Sequence, residues 1–132
     1  MEEELIARLL SKTELTDLVG QRITLGQRIQ GEPLPAITIL EISPGRMYLH
    51  SGAAGIGDPR IQFDVYGATS AEAKAVRDAL RLILETKETQ GSVDFSVSLL
   101  DAERGPIIED NGGGSKTRRY SSDFIVWFSS AA

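Results

Sequence analysis

The segment at 60–80, "RIQFDVYGATSAEAKAVRDAL", changes from one hydrophobic period to another. Ile61, Phe63 and Val65 alternate with polar residues, which predicts a strand with one buried face. Thr69 and Glu72 then form a T-x-x-E capping box, a signal for the start of a helix. An apolar stripe at helical spacing extends this helix to about residue 86, through Ala73, Val76, Leu80, Ile83 and Leu84.

The N-terminal pattern is also helical. Residues 2–19 carry leucines at helical spacing and acidic residues in the first turn, which the helix dipole favours. We expect a break near 11–13, with Thr13 as the cap of a second short helix and Gly20 as its end. The Gly- and Pro-containing connector that follows leaves room for one short extended piece at Ile23–Leu25.

Three further strands are predicted, at 36–42, 92–101 and 118–128. The first is apolar on both faces, which indicates a central position. In the last strand, Tyr120 and Phe124 are expected to face the core, and Ile125 and Trp127 the other side. The Gly-rich segment 43–59 is expected to be a long loop or a loose hairpin tip, and 105–118 a flexible loop that joins two antiparallel strands.

These elements predict an α+β fold in which a small antiparallel sheet packs against helices in the order α-β-β-α-β-β. The 132 residues, of which 41% are hydrophobic and 25% charged, predict a single domain at 1–132 with a core of its own. The chain begins Met-Glu-Glu-Glu and has no apolar run near the roughly 20 residues of a membrane span, so we expect a soluble, unexported protein with no membrane partner.

The candidate chemistry is sparse. Without cysteine, the chain has no disulfide, thiolate nucleophile or Cys-built zinc site. Its single histidine, His50, stands beside Ser51, but a Ser-His neighbour pair is not a triad. The carboxylates Asp58, Asp64, Asp101, Glu103, Glu109 and Asp110 are scattered, and most are expected on the solvated surface. We therefore predict no catalytic, cofactor or metal site, and a protein that is not an enzyme.

Charge and loop position indicate contacts between proteins instead. The net charge of −5 disfavours broad binding to a nucleic-acid backbone. The basic cluster of Lys116, Arg118 and Arg119 is interpreted as a subunit contact, with DNA contact as the alternative. The candidate interface also includes Arg46 and His50 in the first Gly-rich segment, Asp64 and Tyr66 on the polar side of their strand, and Trp127.

Several segments together resemble the tail-completion family of long-tailed phages and gene transfer agents. They are "LTDLVGQRI" at 15–23, "LPAITI" at 34–39, the loop with His50, the segment 60–80 and "YSSDFIVWF" at 120–128. The resemblance implies a tail terminator that forms a homo-oligomeric ring, a hexamer, on the end of the tail tube. It also implies docking to the head connector or stopper protein, DNA only in transit through the lumen, production in the host cytoplasm, and no catalytic residues.

Two alternatives remain open from the sequence. Another ring component of the neck, the adaptor or the stopper, has the same kind of subunit with flexible loops. A small enzyme or ligand-binding domain is the other class, with a site under the 43–59 segment that uses His50, Ser51 and Asp58.

Overall fold

The computed structural model describes residues 1–28, 31–49 and 52–130. In chain order the elements are α1 Glu2–Leu10, α2 Thr13–Val19, β1 Ile23–Leu25, β2 Ala36–Ser43, β3 Arg46–Leu49, β4 Gly52–Gly57, β5 Arg60–Gly67, α3 Ser70–Leu84, β6 Glu88–Gln90, β7 Val93–Phe95, β8 Leu99–Gly112, β9 Ser115–Ile125 and β10 Phe128–Ser130.

The N-terminal segment folds as two short helices, so the predicted break is confirmed. Lys12, with extended backbone, is the N-cap of α2, and no side chain caps it. The expectation that Thr13 is the cap is wrong, because Thr13 is already the first helical residue. Gly20 ends α2 at φ 59°, a left-handed conformation that glycine adopts without steric cost, and β1 follows as predicted.

Five strands form the main sheet, in the order β1-β2-β5-β9-β8. β1 runs parallel to β2, and the other neighbours are antiparallel. The predicted interior position of β2 is confirmed, since it pairs on both sides. Phe63 of β5 lies opposite Ile39 of β2 and Ser122 of β9, which fixes the faces of all three strands.

Helix α3 covers the inner face of the main sheet, with the predicted stripe buried. The predicted capping box is present at its N-terminus. The backbone N–H of Glu72 donates to Thr69 Oγ1 at 3.1 Å, and Glu72 Oε1 accepts from the backbone N–H of Ala68 at 3.0 Å. The first bond satisfies a donor that a helix start leaves free, and the second holds Ala68, the residue before the cap, so the sequence defines where α3 begins.

Both Gly-rich segments contain hairpins. Within 43–59, β3 pairs antiparallel with β4, which agrees with the hairpin alternative. The prediction of a flexible loop at 105–118 is wrong, because β8 and β9 form one long hairpin whose turn is Gly113–Gly114. The hydrogen bonds between the two strands outweigh the loop preference of the Gly and Pro residues. Two of the three register irregularities in β8, at 104–107 and 110–112, lie where these residues occur.

The chain also passes twice from one sheet to another within a predicted strand. The strand predicted at 92–101 divides at 96–98, where Ser96 N–H donates to the Trp127 carbonyl at 2.9 Å and Ser98 N–H to the Leu84 carbonyl at 2.9 Å. The strand predicted at 118–128 is interrupted after Ile125, and Val126 N–H donates to the Pro59 carbonyl at 2.9 Å. These bonds to distant segments could not be read from local periodicity.

β7, before the first break, and β10, after the second, belong to a second sheet, ordered β3-β4-β10-β7-β6. Its side chains Val93 and Phe95 join Leu5, Leu9 and the main-sheet residues in one continuous core. The α+β class is confirmed, while the predicted element order matches only roughly, because the second sheet was not predicted. None of the described helices is long and apolar enough to cross a membrane.

Candidate assembly surfaces

The face of the main sheet opposite α3, here called the outer face, carries polar side chains in its middle. Because strand residues alternate between faces, Asp64 of β5 and Asp123 of β9 share this face with Ser121. Asp64 is 7% exposed and Asp123 is 6% exposed. Such burial of carboxylates requires partners close by.

Two arginines bind Asp123. Arg60 Nη2 lies 2.9 Å from Asp123 Oδ2, and Arg104 Nη2 lies 3.2 Å from Oδ1. Arg104 also donates to Ser121 Oγ at 3.0 Å, and Arg60 pairs with Asp101. Hydrogen bonds with Asp101 and then Asp123 raise the pKa of Arg60 above its ordinary value. The network joins β5, β9 and β8 across the sheet.

A second group surrounds Asp64. Arg119 Nη1 lies 3.4 Å from Asp64 Oδ2, and Gln62 Nε2 donates to Oδ1 at 3.1 Å. Arg119 Nε is 3.2 Å from Glu109 Oε1, close enough for an ion pair but without hydrogen-bond geometry. Near this group, Tyr66 lies under the guanidinium of Arg28, at 5.4 Å from the ring centroid.

Exposed apolar side chains lie along both lateral edges of the main sheet. On the β8 side, Leu99 is 56% exposed and Ile108 is 57% exposed, with Leu100 beside them. On the β1–β2 side, Leu25 and Leu40 are each 47% exposed. Their strand partners place Leu99 and Ile108 on opposite faces of β8, and Leu25 and Leu40 on opposite faces of the sheet, so each edge offers separate apolar contacts on both of its faces.

The predicted basic cluster divides between two faces. Arg119 lies on the outer face with Asp64, whereas Lys116 is exposed and Arg118 donates to the Ala68 carbonyl at 3.0 Å. Alternation along β9 separates them, since neighbours in sequence point to opposite faces. Tyr120 is buried, which confirms its predicted place in the core.

Two of the remaining predicted interface residues, Arg46 and Trp127, lie at the end of the main sheet away from the β8–β9 turn. Arg46 pairs with Gly57 in the β3–β4 hairpin. Trp127 is half-buried between β9 and β10. His50 lies outside the described residues, and so does Ser51, so neither the predicted contact of His50 nor the enzyme alternative can be placed on the fold.

An apolar cleft of about 590 Å³ opens at this same end, and Met1, Pro44, Ile56, Val93 and Phe128 form much of its wall. Glu2 and Glu41 are the carboxylates among its lining residues. Within 1–28, 31–49 and 52–130, no group of three or more His, Cys, Asp or Glu side chains could hold a metal ion.

Most of the carboxylates expected on the solvated surface have cationic partners. Glu103, for example, binds Arg77 at 3.0 Å and Arg81 at 2.6 Å on α3. The sequence missed Arg60 and Arg104 as members of the outer-face network. Alternation in β5 and β9 could have shown that Asp64, Arg119 and Asp123 share one face of the sheet. Arg104 could not have been placed there, because part of β8 was predicted as a loop.

The described surface, with paired charges on one sheet face and apolar side chains on both edges, is typical of an assembly subunit. The model of the family "Tail completion protein gp17" matches residues 3–129, and the chain belongs to this family. Family membership gives the chain a structural role in the tail of a phage-like particle, where it assembles with other particle proteins.

A solved structure shows a similar fold. A chain from the structure titled "Virion of native gene transfer agent (GTA) particle" superposes with a TM-score of 0.66 at 16% sequence identity, and the match covers 98% of this chain and 94% of that one. No curated protein sequence matches the chain significantly.

Proposed function

We propose that this protein is a tail terminator: a subunit of a hexameric ring that caps the tail tube at the neck and joins it to the head connector or stopper, with DNA passing through the lumen. The observation that supports it most, beside the family, is the pair of apolar edges on opposite sides of the main sheet.

A ring requires a head-to-tail contact between two different surfaces of the same subunit. The main sheet offers two such surfaces, because β8 forms one edge and β1 the other. In the proposed contact, Leu99 and Ile108 of one copy pack against the side of the next copy that carries Leu25 and Leu40. Burial of these side chains drives the association.

The β8 edge also has backbone groups that favour assembly. Its fourteen residues pair with β9 on one side, and no described strand pairs with the other. A long edge strand exposes unpaired N–H and C=O groups, which invites association with another chain. In a closed ring, every such edge is covered by the adjacent subunit.

The two ends of the main sheet are then available for the neighbours along the particle axis. One end carries the β3–β4 hairpin with Arg46, and the half-buried Trp127. The other end carries the turn of the β8–β9 hairpin, with Lys116 and Arg118 beside it. We assign these two ends to the tube protein and the connector, with the order between them left to experiment.

The edge contact is tested by measuring mass with light scattering across a concentration series. We expect the unchanged protein to form a hexamer, alone or on tail-tube protein, and Leu99→Ser combined with Ile108→Ser to prevent it. The matched control is Leu82→Ser on α3, which removes a 71% exposed apolar side chain away from the edge. Equal assembly by the edge variant and the control would falsify the proposed contact.

A further inference from the structure

The outer face of the main sheet has a balanced set of charges. Arg60, Arg104 and Arg119 are held in ion pairs with Asp64, Asp101, Asp123 and Glu109. Arg28, stacked over Tyr66, is a fourth cation next to this set. These four arginines and four carboxylates have opposite charges that cancel, so this group of residues has nearly no net charge.

The two buried carboxylates carry much of this arrangement. Asp123 is shared by Arg60 and Arg104, and Asp64 is bound by Arg119. Side-chain exposure is 29% for Arg60, 46% for Arg104 and 28% for Arg119, whereas the two aspartates are almost fully covered. The arginines are therefore accessible from solution, while Asp64 and Asp123 lie beneath them; the other two carboxylates, Asp101 and Glu109, are 51% and 43% exposed.

If the lateral edges contact adjacent subunits, the lumen is lined either by α3 or by the outer face. The α3 side presents Leu82, which is 71% exposed, a poor surface for a channel that must stay hydrated. The middle of the outer face presents Gln62 and the ion pairs, and the apolar side chain next to them, Leu40 opposite Gln62, is less exposed, at 47%. Its polar character suits a water-filled passage.

We propose that the outer face lines the lumen and that Asp64 and Asp123 hold its arginines away from phosphate, so that DNA slides past without binding. This inference rests on the proposed function. Phosphate binding depends on free Lys and Arg that displace condensed counterions. An arginine already paired with a carboxylate has to lose that partner first, so the gain from each phosphate contact is small.

The test measures binding of a fluorescent DNA duplex by anisotropy over a salt series. Asp123→Asn leaves Arg104 without a carboxylate, while Arg60 keeps Asp101, and it changes the shape of the side chain little. Asp78→Asn on α3 removes one exposed, Arg77-paired carboxylate as the control. We expect Asp123→Asn to bind the duplex several-fold more tightly than the control, with a salt slope steeper by about 1, the contribution of one freed arginine. Asp64→Asn should act in the same direction through Arg119.

Folding is checked by circular dichroism, because both aspartates are buried. If either variant unfolds, Asp101→Asn replaces it, since Asp101 is 51% exposed and neutralises Arg60 from the sheet edge. DNA binding by the folded variants that equals the control overturns the inference, as does tight binding by the unchanged protein.

Light scattering on the same samples separates this inference from the proposed function. Normal ring formation with no gain in DNA binding refutes the inference and leaves the terminator intact. Loss of the ring in Asp123→Asn, without any DNA binding, would identify the outer face as a subunit contact and refute the inference as well. Absence of a ring in the unchanged protein, with and without tube protein, instead contradicts the proposed function.

Discussion

Gly67 shows how a single residue sets the junction between β5 and α3. A Cβ atom on Gly67 would lie 2.8 Å from the backbone N of Ala73 and 3.0 Å from the carbonyl of Thr69. These are backbone atoms of the first turn of α3 and its cap, and they cannot move without displacing the helix. Glycine is required here for space rather than for a left-handed backbone.

We therefore expect Gly67→Ala to lower the free energy of unfolding by about 1–3 kcal/mol, the usual cost of forcing an extra carbon into a packed site. Urea denaturation followed by circular dichroism measures the loss. A variant as stable as the unchanged protein would contradict the close approach of β5 to α3.

Two other residues show which contacts can be predicted from the sequence and which cannot. The capping box at Thr69 was predictable because its partners lie three residues apart. The burial of Arg8 was not, because its partners are Ile83, Thr86 and Glu88, which are far away in the chain. On the helical pattern alone, Arg8 is a surface residue next to Leu9.

At the scale of elements, Arg8 joins α1 to the end of α3. It is 1% exposed, donates to the Ile83 carbonyl at 2.6 Å and also binds the Thr86 carbonyl, and lies 3.1 Å from a carboxylate oxygen of Glu88. Burial holds the pKa of Arg8 below its ordinary value, against the opposing effect of Glu88. The guanidinium binds one carbonyl in the last turn of α3, which also accepts from the Thr86 N–H, and one carbonyl just beyond the helix.

Replacing Arg8 with Met should lower the free energy of unfolding by about 1–3 kcal/mol, because the Ile83 and Thr86 carbonyls lose the guanidinium as a donor and Ile83 keeps only its backbone bond. The control is Lys12→Met, which removes the partly exposed partner of the same Glu88 and should cost at most about 1 kcal/mol. Thermal and urea denaturation compare the two. A larger loss in the Lys12 variant would show that the Glu88 pair, not the helix end, holds α1 in place.

The β8–β9 hairpin is the element that the sequence concealed most. Gly105, Pro106 and the run from Asn111 to Gly114 all favour a loop when considered locally. In the fold, only Gly113 and Gly114 form the turn, with φ 60° and 81°. Two positive φ values in a two-residue loop match the twist of the paired strands, so the glycines close the hairpin instead of loosening it.

This interpretation predicts a difference between two substitutions at one position. Gly113→Asn should be nearly neutral, since Asn tolerates left-handed backbone, whereas Gly113→Val should cost about 1–2 kcal/mol from the steric penalty there. Urea denaturation measures both. Equal effects would indicate that Gly113 does not adopt this conformation in solution.

At the scale of the whole molecule, the sequence predicted the α+β class and the β5–α3 unit, but not the second sheet. β6, β7 and β10 have three residues each, too short for a periodic signal of their own, and β10 joins the sheet through β4 and β7, which are far away in the chain. The alternation in β5 and β9 assigned faces correctly. Which side chains share the outer face became clear only from the pairing of β8 with β9, which brings Arg104 and Glu109 next to the residues of β9.

The central claim is that this chain forms a ring that ends a tail tube. The most direct test is negative-stain electron microscopy of polymerising tail-tube protein with and without the purified protein. We expect six-fold rings on tube ends and shorter tubes in their presence. Tubes that grow unchanged, with no density added at their ends, would contradict the claim, and binding to connector protein alone would favour an adaptor or stopper instead.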